Sequence, residues 1–176
     1  IEIIIRNNVE IVVTSAGNPL LFTKGLKEHN IKVMHVVSSS RFARKAEIAG
    51  CDAVIAEGFE AGGHNGREET TTMVLLPLVC NAVSIPVIAA GGIATGRQML
   101  ASMVLGAEGV QMGSMFVASE EASSHQAFKN LVLESKEGDT MLTLEELNPV
   151  RIIRNNFYNE ILHAKNNHAS VSELQA

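Results

Sequence analysis

A chain of 176 residues, 46% hydrophobic and 19% charged, is long enough for one ordinary globular domain with a sizeable core. Its net charge of −5, with both signs interspersed, leaves no basic stripe to neutralise phosphates, which argues against a nucleic-acid partner. No apolar run reaches the roughly 20 residues that cross a bilayer, so no membrane partner is expected.

The chain opens at Ile1 rather than Met, so a preceding segment is expected. The opening residues lack the charged region and small-residue cleavage site of a signal peptide. The two cysteines, Cys51 and Cys80, form no C-x-x-C. A reducing cytoplasm is the simpler expectation.

Short apolar, β-branched runs alternate with longer helical stretches. Val9–Thr14 reads as the first strand, closed by the turn residues Ala16-Gly17-Asn18-Pro19. Leu20–Asn30 reads as a helix and Ile31–Val37 as the second strand. Ser38-Ser39-Ser40 offers N-caps for a helix over Arg41–Ala49, which ends at Gly50. Asp52–Ala56 is the third strand and runs into a glycine loop, Gly58 to Gly66. A helix is predicted over Thr72–Val83, with Pro77 inside it. Pro86–Ala90 is the fourth strand, and Gly91-Gly92 follows it. Thr95 opens a helix reaching Leu105; Gly109–Met112 is the fifth strand, ending at Gly113-Ser114. Beyond Phe116 two more helices are predicted, Gln126–Ser135 and Phe157–Lys165. Asn166–Ala176 has no core-forming pattern. Residues 1–176 read as a single domain, with 117–176 as its C-terminal helical region.

The strands are nearly continuous apolar runs, as in a parallel sheet covered on both faces. Three successive strand ends carry special loops: Gly62-Gly63-His64, Gly91-Gly92 and Gly113-Ser114. Glycine lets a backbone approach a phosphate closely and aim N–H groups at it. One Gly-Gly pair alone is most simply a tight turn. All three together point to a ligand that carries phosphate.

Three segments resemble the nitronate monooxygenase (2-nitropropane dioxygenase) family. They are Glu60-Ala61-Gly62-Gly63-His64-Asn65-Gly66, Ile85-Pro86-Val87-Ile88-Ala89-Ala90-Gly91-Gly92-Ile93, and Leu105 to Val117. Flavin-dependent enoyl-acyl-carrier-protein reductases share them. The similarity runs from about Val9 to Phe116 and more weakly to about Tyr158. It implies an α/β fold, a TIM (β/α)8 barrel, of which this chain would hold strands 4 to 8. It implies non-covalent FMN as cofactor, and oxidation of nitronates or nitroalkanes by O2 to a carbonyl compound and nitrite. The alternatives are an FMN- and NAD(P)H-dependent enoyl-acyl-carrier-protein reductase, with an enoyl thioester as substrate, and a non-catalytic phosphate-ligand-binding barrel. The resemblance allows a homodimer.

By the same resemblance, His64 would be the catalytic base; the plainer role is to order the loop or touch the flavin edge. Gly62, Gly63, Gly91, Gly92, Gly113 and Ser114 would contact the cofactor through backbone amides, with Ser114 standing where the family usually has Thr. Ala90 would touch it through its backbone alone. Gln111 would bond the flavin or ribityl chain, or else plug the barrel interior. Glu57 would bind ribityl hydroxyls, or pair with Arg67 or Lys45. Ser15, Gly17 and Asn18, at the end of the first strand, would face the same end, or else form a solvated turn. His35, among Val and Met, reads as a satisfied barrel-interior histidine. No metal-ligand spacing links the six histidines.

Overall fold

The computed structural model describes residues 1–175. Helix α1 (Glu2–Arg6) leads to strand β1 (Ile11–Thr14). A 3-10 turn, Pro19–Leu21, and α2 (Thr23–Lys27) connect it to β2 (Lys32–Val37). There follow α3 (Ser40–Ile48), β3 (Ala53–Glu57), the two-residue strand β4 (Gly63–His64) and α4 (Thr72–Cys80). Then come β5 (Val87–Ala90), α5 (Gly96–Val104), β6 (Gly109–Gln111) and α6 (Ser114–Val117). The chain closes with α7 (Gln126–Glu134), β7 (Thr140–Thr143), β8 (Val150–Ile153), α8 (Asn156–Asn166) and α9 (Val171–Leu174).

Five strands form one sheet in the order β1-β2-β3-β5-β6, and every neighbouring pair is parallel. The order follows the chain without reversal. That is the winding of a (β/α)8 barrel; a doubly wound sheet reverses at a switch point. Parallel strands need crossover helices. Local chemistry sets where these begin. Ser39 accepts from the Phe42 amide at the start of α3, and Thr95 with Gln98 forms a capping box at the start of α5.

One face of the sheet packs on the helices. Val33 and Val37, Val54 and Ala56, and Val87 and Ala89 are buried there with Leu26, Ala43, Leu75, Leu76 and Val79. The other face carries Ile11 and Val13, which are 52% and 51% exposed. No helix among the described residues is long and apolar enough to cross a membrane.

Several stretches differ from the sequence reading: α1, β4 and α6 form where no helix or strand was expected. The expected helix Leu20–Asn30 is a 3-10 turn followed by five residues of α2. Asn18 caps the turn by accepting from the Leu20 amide at 3.2 Å, and Phe22 breaks it with φ −123°. The 117–176 stretch, expected to be helical, also holds an antiparallel hairpin, β7–β8, whose second strand pairs with β4. Its strands are too short and too polar at their flanks to stand out as alternating runs. The final stretch forms the short α9, with no buried residue.

Candidate active site at the strand ends

In β3, β5 and β6, Glu57 is the register partner of Ala90, and Ala90 of Gln111. Residues in register on adjacent parallel strands share a face. The carboxyl and the amide therefore flank a methyl group in one row at the C-terminal edge of the sheet. Ala90, the smallest of the three, stands between the two longer side chains.

Two cavities open at this edge. The larger, about 520 Å³, is lined by the Ser15–Leu20 turn, His35, Phe42, Lys45, Glu57, His64 and Asn65. The smaller, about 320 Å³, is lined by Glu57, Glu60, Gly62, Ala90, Gly91, Gly92, Gln111, Gly113 and Ser114. Glu57 is a wall of both. His64 and the amide-rich turns thus share one end of the sheet. Ser15, Gly17 and Asn18 lie there as expected. Gly63 lines neither cavity, and pairs with Arg151 of β8 instead.

Glu57 stands in this wall without an ion-pair partner among the described residues. Burial pushes its carboxyl above the ordinary range. The pairing with Arg67 or Lys45 is not formed. The Arg67 guanidinium instead donates to the carbonyls of Glu145 and Leu147. The Lys45 ammonium sits 5.7 Å from the centre of the Phe42 ring.

Gly91 and Gly92 both adopt positive φ, 99° and 68°. A Cβ on Gly91 would come within 2.8 Å of the Gly58 carbonyl oxygen and 3.0 Å of Thr72 Oγ1, so the turn requires glycine. A Cβ on Gly113 would meet nothing within 4 Å among the described residues. Among the described residues, the amides of Gly92 and Gly113 donate to no protein acceptor.

His35 is 5% exposed and lies 2.7 Å through Nδ1 from Thr14 Oγ1. It is satisfied as expected, but on the other side of the sheet. It shares the face of the buried Val33 and Val37, which is the helix side, and it is one of the residues that line the larger cavity. Burial lowers its pKa, which favours the neutral ring.

Three contributors escaped the sequence reading. Glu60 receives the Thr72 amide at 2.9 Å; Thr72 bridges it to the Gly91 turn; Arg151 reaches the Phe59 carbonyl at 3.2 Å. Glu60 opens the segment Glu60-Ala61-Gly62-Gly63-His64-Asn65-Gly66, and Thr72 lies at a helix start. Nothing local marks Arg151.

A singly wound parallel arc of this kind is part of a (β/α)8 barrel, a fold whose active sites are built at the C-terminal mouth. The chain belongs to the nitronate monooxygenase family, whose model matches residues 1–175. A probable nitronate monooxygenase of Staphylococcus saprophyticus is 41% identical over 172 residues, covering 92% of this chain and 48% of that protein. The structure of FabK from Thermotoga maritima matches with TM-score 0.89 and 47% identity, over 93% of this chain and 52% of that one. Nitroalkane oxidase from Streptomyces ansochromogenes matches with TM-score 0.81 and 29% identity, over 98% and 52% respectively. The chain spans about half the length of these relatives. Its fold is the TIM-barrel α/β fold of its family, and the family is one of oxidoreductases.

Proposed function

We propose that the protein to which this chain belongs is an FMN-dependent nitronate monooxygenase, with His64 as its base. The observation that carries the reading is the shared wall. Glu57 lines both the cavity that holds His64 and the cavity framed by the glycine turns. A ligand with a phosphate at one end and a planar ring at the other can span the two.

The residues present fit that group. Among the described residues, Gly92 and Gly113 offer amides without protein acceptors, and the space above Gly113 is open. These amides, with the Ser114 hydroxyl, would hold the phosphate. Gln111 and Glu57 would meet the ribityl hydroxyls, and Ala90 between them would leave the chain room to pass. Bound FMN would supply the electron transfer to O2. In the larger cavity, His64 would take the proton from the carbon bearing the nitro group and leave its electron pair for oxidation. The expected products are a carbonyl compound and nitrite.

The test uses the full-length protein. Its absorbance spectrum should show bound FMN, and nitroalkane should be consumed in air with release of nitrite. His64→Asn should keep the flavin while turnover falls about 100-fold or more. Full activity in that variant removes His64 from the chemistry. Rapid bleaching by NADH or NADPH without air, followed by turnover of an enoyl thioester, would assign the enoyl reductase activity instead. A colourless protein that binds no FMN would leave a non-catalytic phosphate-binding barrel.

A further inference from the structure

We infer that Arg151 is the positioning residue for His64, an inference that rests on His64 acting as proposed. The loop from Gly58 to Thr71 carries His64 in a strand of only two residues, and His64 itself is exposed. Such a segment cannot hold an imidazole in one place by its own packing. Residues outside the loop must do so.

The β7–β8 hairpin supplies them. Gly63 and His64 pair in register with Arg151 and Val150, and the Asn65 amide donates to the Pro149 carbonyl at 2.8 Å. Arg151 adds a second attachment through its side chain. Its Nε donates to the Phe59 carbonyl at 3.2 Å, and its guanidinium lies 4.8 Å from the centre of the Phe59 ring. Its Nη1 donates to Thr140 Oγ1 on β7 at 3.4 Å, which ties the side chain back to the hairpin. One residue therefore grips the loop twice: at Phe59, where it leaves the sheet, and at Gly63, directly before the imidazole. A planar guanidinium that bonds a carbonyl and covers a ring is chemistry that lysine reproduces only in part.

This clamp is separate from the main core. Among the described residues, no member of the hydrophobic cluster under the five-stranded sheet comes from the Gly58–Thr71 loop or from β7–β8. Loss of the Arg151 side chain should loosen the loop and leave the sheet as it was.

Arg151→Met and Arg151→Lys in the full-length protein test this. In Arg151→Met, amide exchange across Gly63–Asn65 should rise roughly tenfold or more while exchange in β3 and β5 is unchanged. The His64 imidazole NMR signals, single in the parent, should broaden or double. For nitroalkane turnover, kcat should fall about tenfold, with KM and bound flavin unchanged. Arg151→Lys should recover part of each effect. Parent-like exchange and imidazole signals in Arg151→Met would overturn the inference. A uniform rise in exchange through β3 and β5 would overturn it too, because Arg151 would then serve the fold as a whole. Should His64→Asn prove fully active, the proposed function falls, whereas the exchange result still reports on the clamp.

Discussion

Thr72 joins the loop after β3 to the turn after β5 through Glu60. Its amide lies 2.9 Å from Glu60 Oε2, and its hydroxyl lies 2.9 Å from both that oxygen and the Gly91 carbonyl. Thr71, the N-cap residue of α4, makes no side-chain capping bond. The Glu60 carboxylate takes over that task from across the loop and places a negative charge at the positive end of the helix.

Thr72→Val keeps the shape and removes the hydroxyl. Thr72 is buried, so the oxygens it served lose a donor that water cannot easily replace. A loss of about 1–2 kcal/mol in stability is expected. Urea denaturation measures it, and Glu60→Gln, which keeps an acceptor but loses the charge, should cost less. A variant as stable as the parent would show that the bridge contributes nothing.

Gly91 and Gly113 give opposite expectations for the same substitution. Alanine at Gly91 would sit at φ 99° with its Cβ 2.8 Å from the Gly58 carbonyl oxygen. Strain and overlap together should destabilise the fold by about 2–4 kcal/mol. Alanine at Gly113, where φ is −97° and the space is open, should leave stability within about 0.5 kcal/mol of the parent. Under the proposed function it should weaken FMN binding, because the added methyl enters the cavity. Thermal denaturation and FMN titration of the two variants separate a turn requirement from a ligand requirement.

The Glu57 carboxyl gives the fold a pH dependence of definite sign. Burial raises its pKa above the ordinary value. Between the ordinary and the raised value the native chain binds more protons than the unfolded one, so stability falls as pH rises through that interval. Above it the ionised, buried carboxylate opposes folding in full. Glu57→Gln should therefore be more stable than the parent at about pH 7, and the gap should close as pH falls below the ordinary carboxylate range. Melting temperatures of both proteins across that range check the sign. A gap that widens toward acid would mean that a cation pairs with Glu57 after all.

Much of the barrel arc was legible in the sequence because its causes are local. The β-branched runs of β2, β3 and β5 state their own conformation, Ser39 and Thr95 cap the helices that follow them, and Gly91 and Gly92 take the positive φ that their turn needs. The gathering of Glu57, Ala90 and Gln111 followed from these signals, since residues at the ends of successive parallel strands must lie along one edge. What holds His64 did not follow. Arg151 meets Phe59 across 92 positions of chain, and β8 is four residues of ordinary character that become a strand only by pairing with β4 and β7. Contacts between segments so distant depend on how the whole chain closes, and no residue's own propensity records them. The sequence thus determined the strands, the caps and the glycine turns. The tertiary structure decided which side of the sheet His35 would face, that no cation among the described residues would pair with Glu57, and where the imidazole of His64 would rest.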